Sequence, residues 1–507
     1  MGQSAVCMDK GPALGKRDTT LPHRVTFSTK IIPATDKRLD EEGMARLKPR
    51  MKKVGGTLMS DGWQSTTNKP VINVILGVDG MLSLRLAADC SGQDKTMSFI
   101  CDLLCNVIEQ LGSDNIFSVV MDGACKGAFP LIRGKYPHIQ CFTCPAHGLD
   151  GFIKNICGSK EEIQMQRNEM GGVGVQHVAW DEDFFEKAFA QAWQCIQTVT
   201  AHQKPLARFR AIADSLPANE QIPGGTEPKK YGETRYGSRV TMSERMINTK
   251  SIYEQLMLDR EYISWLDRQA TKTKEKVRMC ICNVIYVWNS NMDIYQYIRN
   301  IFCASPHSLS VSPICTQTHR DTGMKSVYVT DRLAIQFKTV RRLIMSEDFW
   351  DTLKLATLVL KPALVALRYC DGMKGGTVSL LYNLLLELDK YYSKPIKGLD
   401  EAMRKKMHNV FMSRWSAFHA PIHSAAFAMD KQFCRRQMDH GVKTDIWSVM
   451  EDFSKAPGGQ DFSKLKSQYS LFVDALGSKQ VFQYVYHMRL WITVSIVTDN
   501  IVYVVSF

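Results

Sequence analysis

Two aspartates follow short apolar runs, at positions where β-strands are expected to end. Asp61 comes after "GTLMS" and stands before Gly62 and Trp63, and Asp122 comes after "IFSVVM" and stands before a glycine. Carboxylates at neighbouring strand ends can hold two divalent ions about 3.5–4 Å apart, the arrangement that cleaves or transfers phosphodiesters. Magnesium takes only one or two carboxylates per ion, so a complete centre needs a third acidic side chain as well. The alternative is that both Asp-Gly pairs are simple turns after strands.

A second group of candidate ligands lies in "CFTCPAHG". Cys141, Cys144 and His147 have the Cys-x-x-Cys-x-x-His spacing of metal ligands. A structural zinc site has four ligands, and no further ligand pair follows closely. The two cysteines also straddle the expected end of a strand, so joint ligation would require a sharp turn of the backbone. Three interpretations stay open: packing of the strand-to-helix corner, a position near bound nucleic acid, and a zinc ion.

The hydrophobic periodicity predicts the elements that carry these residues. "GTLMS", "VINVILG" and "MLSLRLAA" are three strands, with "VDG" as the turn between the second and third. From Thr96 to Gly112 the apolar period is helical. Strand 116–121, a short helix, strand "HIQCFTC" and a helix from "AHGLDG" follow. This order predicts an α/β ribonuclease H-like core, a mixed five-stranded sheet with helices on both faces, in which Asp61 ends the first strand and Asp122 the fourth.

The composition is that of a globular protein with a basic surplus. The 507 residues correspond to roughly three domains, and 64 Lys and Arg against 51 Asp and Glu give a formal charge of +13. The charge is spread along the chain, so it is compatible with a polyanionic partner or with a merely basic surface. Fifteen irregularly spaced cysteines indicate a soluble, reduced, intracellular protein. Residues 491–507 are apolar, but Asp499 and Asn500 in their middle argue against a membrane anchor.

Several blocks resemble one family. "TLMSDGWQSTTNKPVINVIL", "VVMDGACKGAFPLIRGKYP" and "CPAHGLDGFIKNI" resemble successive blocks of domain of unknown function 659, which occurs in hAT-superfamily transposases and their descendants. "LPHRVTFSTKII", "GETRYGSRVTMSERMINTK" and the helical blocks 349–372 and 415–430 resemble further parts of it. The resemblance implies a ribonuclease H-like core interrupted by a long all-helical insertion. It also implies a nuclear protein that descends from a DNA-cutting and DNA-joining enzyme.

The resemblance assigns roles to individual residues. The first and second family carboxylates, which are catalytic and bind metal, map to Asp61 and Asp122, and Mg²⁺ or Mn²⁺ would be the cofactor of an active protein. Trp63, Cys144 and His147 match the motif positions around them. We also expect Trp63 to be largely buried, because a bulky indole directly after Asp-Gly costs little only if it packs.

The third family carboxylate is not found. It is a glutamate in a Ser-Glu-Arg-x-Phe-Ser type block near the C-terminus, and the dimerisation block of the family is missing from the sequence too. "MSERMI" (242–247) lies in the helical part, where we interpret it as a coincidental surface helix. Glu451 and Asp452 are the nearest acidic candidates, with no motif around them. Beyond residue 440 the resemblance fades, and 441–507 reads as a spliced or frame-shifted end.

Nucleic-acid binding would have to come from the basic surface. A BED-type zinc finger needs two cysteines and two histidines, and the first fifty residues hold only Cys7 and His23. Weakly specific, salt-sensitive binding is therefore expected. The best local candidate is "GGTEPKKYGETRYGSR", whose basic residues are Lys229, Lys230, Arg235 and Arg239; the alternative is a solvated loop.

These observations leave two functions. One is a catalytically inactive, transposase-derived protein that binds nucleic acid or protein partners. The other is a metal-dependent DNA transposase or nuclease with Asp61 and Asp122 as metal ligands. The corresponding domain organisation is a disordered N-terminus 1–20, a lead-in segment 21–54, a ribonuclease H-like domain 55–165, a helical region 178–440 and a divergent tail 441–507.

Overall fold

The computed structural model describes most of the chain. The described residues are 23–158, 183–217, 222, 225–232, 236–268, 337–371, 377–430, 432–434, 436 and 440–475. The N-terminus 1–20, expected to be disordered, and the apolar residues 491–507 lie outside this set.

A mixed five-stranded sheet organises the first part of the chain. Its strands are β1 (Gly56–Gln64), β2 (Pro70–Val78), β3 (Met81–Asp89), β4 (Ile116–Met121) and β5 (Gln140–Thr143). They lie in the order β3-β2-β1-β4-β5. Strand β2 is antiparallel to both β1 and β3, and β4 is parallel to both β1 and β5. The prediction of a mixed five-stranded sheet is confirmed.

The turn between β2 and β3 follows from two residues. Asp79 and Gly80 both have positive φ, 48° and 75°. Such a pair gives the type I′ turn, whose twist matches that of antiparallel strands. The sequence "VDG" therefore closes a tight hairpin, as predicted.

The helices around the sheet are listed here in chain order. They are α1 (Arg24–Thr26), a π-helix (Phe27–Ile31), α2 (Ile32–Val54), α3 (Met97–Leu111), 3-10 helices Ser113–Asn115 and Gly123–Ala128, α4 (Phe129–Lys135) and α5 (Pro145–Cys157). Helix α3 starts at Thr96, whose side chain accepts a hydrogen bond from the Phe99 N–H, and Gly112 follows its end with φ 86°. Its predicted apolar stripe is buried: Ile100, Leu103, Leu104, Val107, Ile108 and Leu111.

From residue 183 onward, the described part of the chain forms helices and loops. The helices include α6 (Phe184–Thr200), α7 (Gln203–Asp214), α8 (Gly237–Asn248), α9 (Lys250–Leu258), α10 (Glu347–Asp371), α11 (Val378–Ser393), α12 (Glu401–Phe418), α13 (Pro421–Met429), α14 (His440–Ser454) and α15 (Phe462–Ala475). We call them the helical body. Among the described residues, none of the helices has the length and hydropathy needed to traverse a lipid bilayer.

The two faces of the sheet pack against different helices. Leu58 and Val119 point into a core shared with α2, α3 and α4. Met59, Val120 and Phe142 point the other way, into a core shared with α5 and the helical body. This alternation follows from the period of two in a strand, and it puts helices on both faces, as predicted.

Helix α5 joins the sheet to the helical body. The backbone N–H of Cys144, directly before α5, donates to the Met121 carbonyl at the end of β4 (2.7 Å). Further along, Arg414 of α12 donates to the Asn155 side-chain oxygen of α5 at 2.5 Å. The start of α5 is therefore fixed at the sheet, and its later turns are packed within the body.

Candidate functional site

Asp61 lies inside a strand. Strand β1 pairs with β4 only as far as Ser60, opposite Met121, but it pairs with β2 up to Gln64. Asp61 itself is opposite Asn73 of β2. The expectation that Asp61 ends its strand is wrong, because the hairpin with β2 keeps β1 extended beyond the end of β4. The interpretation of Asp61-Gly62 as a turn is wrong for the same reason.

Asp122 directly follows the last residue of β4. It precedes the 3-10 helix Gly123–Ala128, yet its side chain makes no capping hydrogen bond there. Since Ser60 is opposite Met121, Asp61 and Asp122 occupy the next positions of the two parallel strands. Alternation puts Asp61 on the face of Met59, the face covered by the helical body. Asp61 and Asp122 therefore lie at neighbouring positions at the carboxyl end of this parallel strand pair.

His147 of α5 completes this arrangement. Its Nε2 lies 3.9 Å from Asp122 Oδ2. Burial disfavours the charged imidazole, but the hydrogen bond and charge of Cys144 and the charges of Asp122 and Asp61 outweigh it and raise the His147 pKa to about 9. The Nδ1 atom is buried and has no hydrogen-bond partner among the described residues. The protein thus sets a cation against the two carboxylates.

A comparison with known families covers this same region. Residues 22–168 match the family model of the domain of unknown function DUF659. The DUF659 segment contains the whole sheet and both carboxylates. No curated protein matches the chain.

Cys125, also in the DUF659 segment, lies near Asp61 and Asp122 and was not predicted from the sequence. Burial, followed by the charges of Asp122 and Asp61, raises the pKa of its thiol to about 11, and Lys95 opposes this shift. A neutral thiol therefore lies behind the carboxylates. The available signal was its position three residues after Asp122, in "MDGACKG", since the 3-10 turn folds it back so that its N–H donates to the Asp122 carbonyl (2.9 Å).

Cys141 and Cys144 in the DUF659 segment are not arranged to bind one zinc ion together. Cys141 packs towards the core of α2, α3 and α4, whereas Cys144 packs towards the helical body. Burial raises the Cys141 pKa to about 12, which keeps it a thiol. Within the described ranges, no three His, Cys, Asp or Glu residues form a group that could hold a metal ion. What the structure shows at this corner is the backbone hydrogen bond from Cys144 to Met121.

The acidic candidates outside the DUF659 segment lie elsewhere. Asp452 accepts hydrogen bonds from Arg133 and from Gln140, each at 3.1 Å. Gln140 is opposite Ser118, towards the other end of β4 from Asp122. Asp452 therefore docks α14 against the sheet, and it lies away from the carboxylate pair.

Two further acidic candidates form ion pairs of their own. Glu451 lies 3.5 Å from Lys455 within α14. Glu244, the acidic residue of "MSERMI", pairs with Lys361 of α10 at 2.8 Å. The interpretation of "MSERMI" as a surface helix is wrong, because four of its six residues are buried: Met242, Ser243, Arg245 and Met246.

Trp63 contradicts the expectation of burial. The side chain is 36% exposed, and it lies opposite Val71 in the part of β1 and β2 that runs past the end of β4. With the ribbon two strands wide there, the indole faces solvent. A packing role for Trp63 at the carboxylates is therefore wrong.

The basic candidates differ in their surroundings. Lys229 and Lys230 are exposed, and Arg235 lies outside the described residues. Arg239 donates to the Cys157 carbonyl at 2.7 Å, and its guanidinium lies over the rings of Tyr231 and Tyr236. Arg239 therefore ties α8 to the end of α5, and the two lysines are the exposed candidates.

Proposed function

We propose that the DUF659 segment is a ribonuclease H-like domain descended from a hAT-superfamily transposase. The proposal adds that the chain is a nuclear protein that binds nucleic acid without catalysing its cleavage. The observation that carries the proposal is that Asp61 and Asp122 directly follow Ser60 and Met121, the last paired residues of the parallel strands β1 and β4. The strand order β3-β2-β1-β4-β5 supports the same descent.

Asp61 and Asp122 would hold at most one divalent ion, and only weakly, because His147 already offsets part of their charge. Magnesium accepts one or two carboxylates and keeps several waters, so Asp61 and Asp122 would hold it. Such an ion would neutralise the carboxylates and accept a phosphate oxygen. A two-ion centre asks for a third carboxylate, whereas Asp452 is engaged by Arg133 and Gln140 and the group beside Asp122 is His147. The absence of a third free carboxylate beside Asp61 and Asp122 among the described residues supports a protein without catalytic activity.

Nucleic-acid binding can be tested through the two exposed lysines. Fluorescence anisotropy with a labelled duplex should show weak binding that falls steeply with salt. Replacing Lys229 and Lys230 by Glu should weaken it and lower the salt slope by about 2. The matched control replaces the exposed Lys394 and Lys397 by Glu, the same charge change on the helical body. An equal loss of affinity in both variants would mean that only the net charge matters. No binding at low salt would refute the proposal.

Catalysis has a separate test. Supercoiled plasmid incubated with Mg²⁺ or Mn²⁺ should remain intact with the wild-type chain. Nicking that disappears in both Asp61→Ala and Asp122→Ala would establish the alternative, a metal-dependent DNA nuclease or transposase. Nicking that persists in both variants would indicate a contaminating activity.

A further inference from the structure

A helical arm projects from the sheet at the start of the described chain. We define the arm as residues 24–42, which comprise α1, the π-helix and the first half of α2. Apart from the half-buried Thr35, each arm residue is exposed, and the first buried side chain of α2 is Met44. At 1.5 Å per residue the arm is about 27 Å long.

The arm carries large apolar side chains in water. Those exposed are Val25, Phe27, Ile31, Ile32 and Leu39. An isolated helix of this length is marginal in water, since most helical stability in proteins comes from packing an apolar face. The arm therefore has the character of a helix whose apolar face lacks its packing partner within the described residues.

The π-helix aligns these side chains. It closes with the Ile32 N–H bonded to the Phe27 carbonyl, five residues back. The wider turn brings the residues four and five positions after Phe27 onto the same side of the helix, and residues seven apart stay close to one line in the α-helix that follows. Phe27, Ile32 and Leu39 thus form one stripe, with Ile31 beside it. Without this wide turn, the spacing of five residues between Phe27 and Ile32 would place the two side chains on different sides of the helix.

The charges of the arm are divided between its ends. Residues 23–30 contain two basic side chains, Arg24 and Lys30, and no acidic one. Residues 36–42 contain four acidic side chains and two basic ones. A partner with the same pattern in the opposite direction would match both ends.

We infer that the arm pairs with the arm of a second copy of this chain, antiparallel and about a two-fold axis. Placing Phe27 opposite Leu39 of the second copy puts Lys30 opposite Asp36 and Arg24 opposite Glu42. Both contacts occur twice, because a two-fold interface is isologous. A nucleic acid fits this surface poorly, since the four acidic residues would face its phosphates.

The contacts already made by the arm leave this pairing available. The ion pairs Lys37–Glu41 and Arg38–Glu42 are exposed and lie at 4.0 Å, so they hold their side chains weakly. Asp40 is different, because it accepts a hydrogen bond from Arg85 of β3. That contact anchors the base of the arm to the sheet and fixes the direction in which it projects.

Sedimentation velocity of the full chain over a range of concentrations tests the inference. Because the contact is confined to one short helix from each copy, we expect it to be smaller than a standard interface and the dimer to be reversible, with a dissociation constant on the order of 1–10 µM. Ile32→Asp should raise that constant about 100-fold, because it buries a carboxylate at the centre of the stripe. The matched control is Val365→Asp on α10, where the valine is similarly exposed, and it should leave the constant unchanged.

Charge reversal tests the antiparallel direction. Lys30→Glu alone should weaken the dimer about tenfold, and adding Asp36→Lys should restore it, because the two groups face each other across the axis. Circular dichroism confirms that each variant keeps its helices. A monomer at every concentration, a dimer indifferent to Ile32→Asp, or a reversal that the second substitution does not rescue would each overturn the proposal.

Discussion

Replacing Gly148 by alanine tests how tightly α5 is seated on the helical body. A Cβ at this position would lie 2.2 Å from Cδ1 and 2.7 Å from Cε1 of Phe418, the last residue of α12. The phenyl ring is buried, so it cannot swing into solvent. Either the ring leaves its place or α5 moves away from α12, and movement of α5 would shift His147 relative to Asp122.

The sign of the effect separates this contact from ordinary helix propensity. Glycine to alanine inside a helix ordinarily stabilises by about 0.5–1 kcal/mol, whereas overpacking a core costs about 1–3 kcal/mol. We therefore expect Gly148→Ala to lower the free energy of unfolding by about 1–2 kcal/mol. Gly43→Ala in α2 is the matched control, since no atom lies within 4 Å of its Cβ position, and it should be neutral or stabilising. Urea denaturation followed by circular dichroism measures both.

A double-mutant cycle identifies the cause. Phe418→Leu removes the atoms that the new methyl group meets, so the cost of Gly148→Ala should fall in that background, with a coupling energy of about 0.5–3 kcal/mol. Additive effects, or a Gly148→Ala protein as stable as the wild type, would refute this account of the contact.

Three further predictions concern single side chains. Asp61→Asn should leave the melting temperature nearly unchanged, with and without magnesium, because the repulsion that it relieves between the carboxylates is offset by the attraction to His147 that it removes; a clear loss in both conditions would contradict this. Burial, followed by the charge of His419, lowers the His423 pKa to about 3, below the ~6.5 of an unfolded histidine. The contribution of His423 to the free energy of unfolding is therefore constant above pH 6.5. It falls as the pH decreases towards 3, by on the order of 2–3 kcal/mol at pH 4.5. His423→Asn should flatten that part of the pH profile of urea denaturation. Thr96→Ala should cost about 1 kcal/mol in the same assay, because it removes the acceptor for the Phe99 N–H.

Local patterns predicted the sheet and its first helices well. The stripe from Ile100 to Leu111 and the caps at Thr96 and Gly112 depend on neighbours within one or two turns. The turn at Asp79-Gly80 likewise needs only the two residues that accept positive φ. In these elements, local preference and tertiary packing favour the same structure.

The errors at Asp61 and Trp63 share a cause. How far β1 extends is decided by β2, which pairs with it up to Gln64, while β4 stops at Met121. Strand lengths on either side of a central strand are set separately, and the residues of β1 alone carry no signal of where its second neighbour ends. The indole was therefore expected at a packed corner and lies instead on an uncovered ribbon.

Contacts between distant segments explain the rest of the site. Arg239 and Cys157 are joined across 82 residues, and Asp452 and Gln140 across 312. Sequence patterns showed that these side chains are charged or polar, but not which partners the fold supplies. The ion pair of His147 with Asp122 was missed for the same reason, although both residues had been singled out.

The core that joins the sheet to the helical body has a consequence for the DUF659 segment as a unit. Met59, Val120 and Phe142 belong to one continuous apolar cluster with residues as far along the chain as Phe472. Expressed alone, residues 22–168 would present this face to water, and exposed patches of that kind promote aggregation. The segment that matches the family model is therefore not an independently folding unit. A stable sheet therefore requires the helices that cover it, although they lie outside the matched segment.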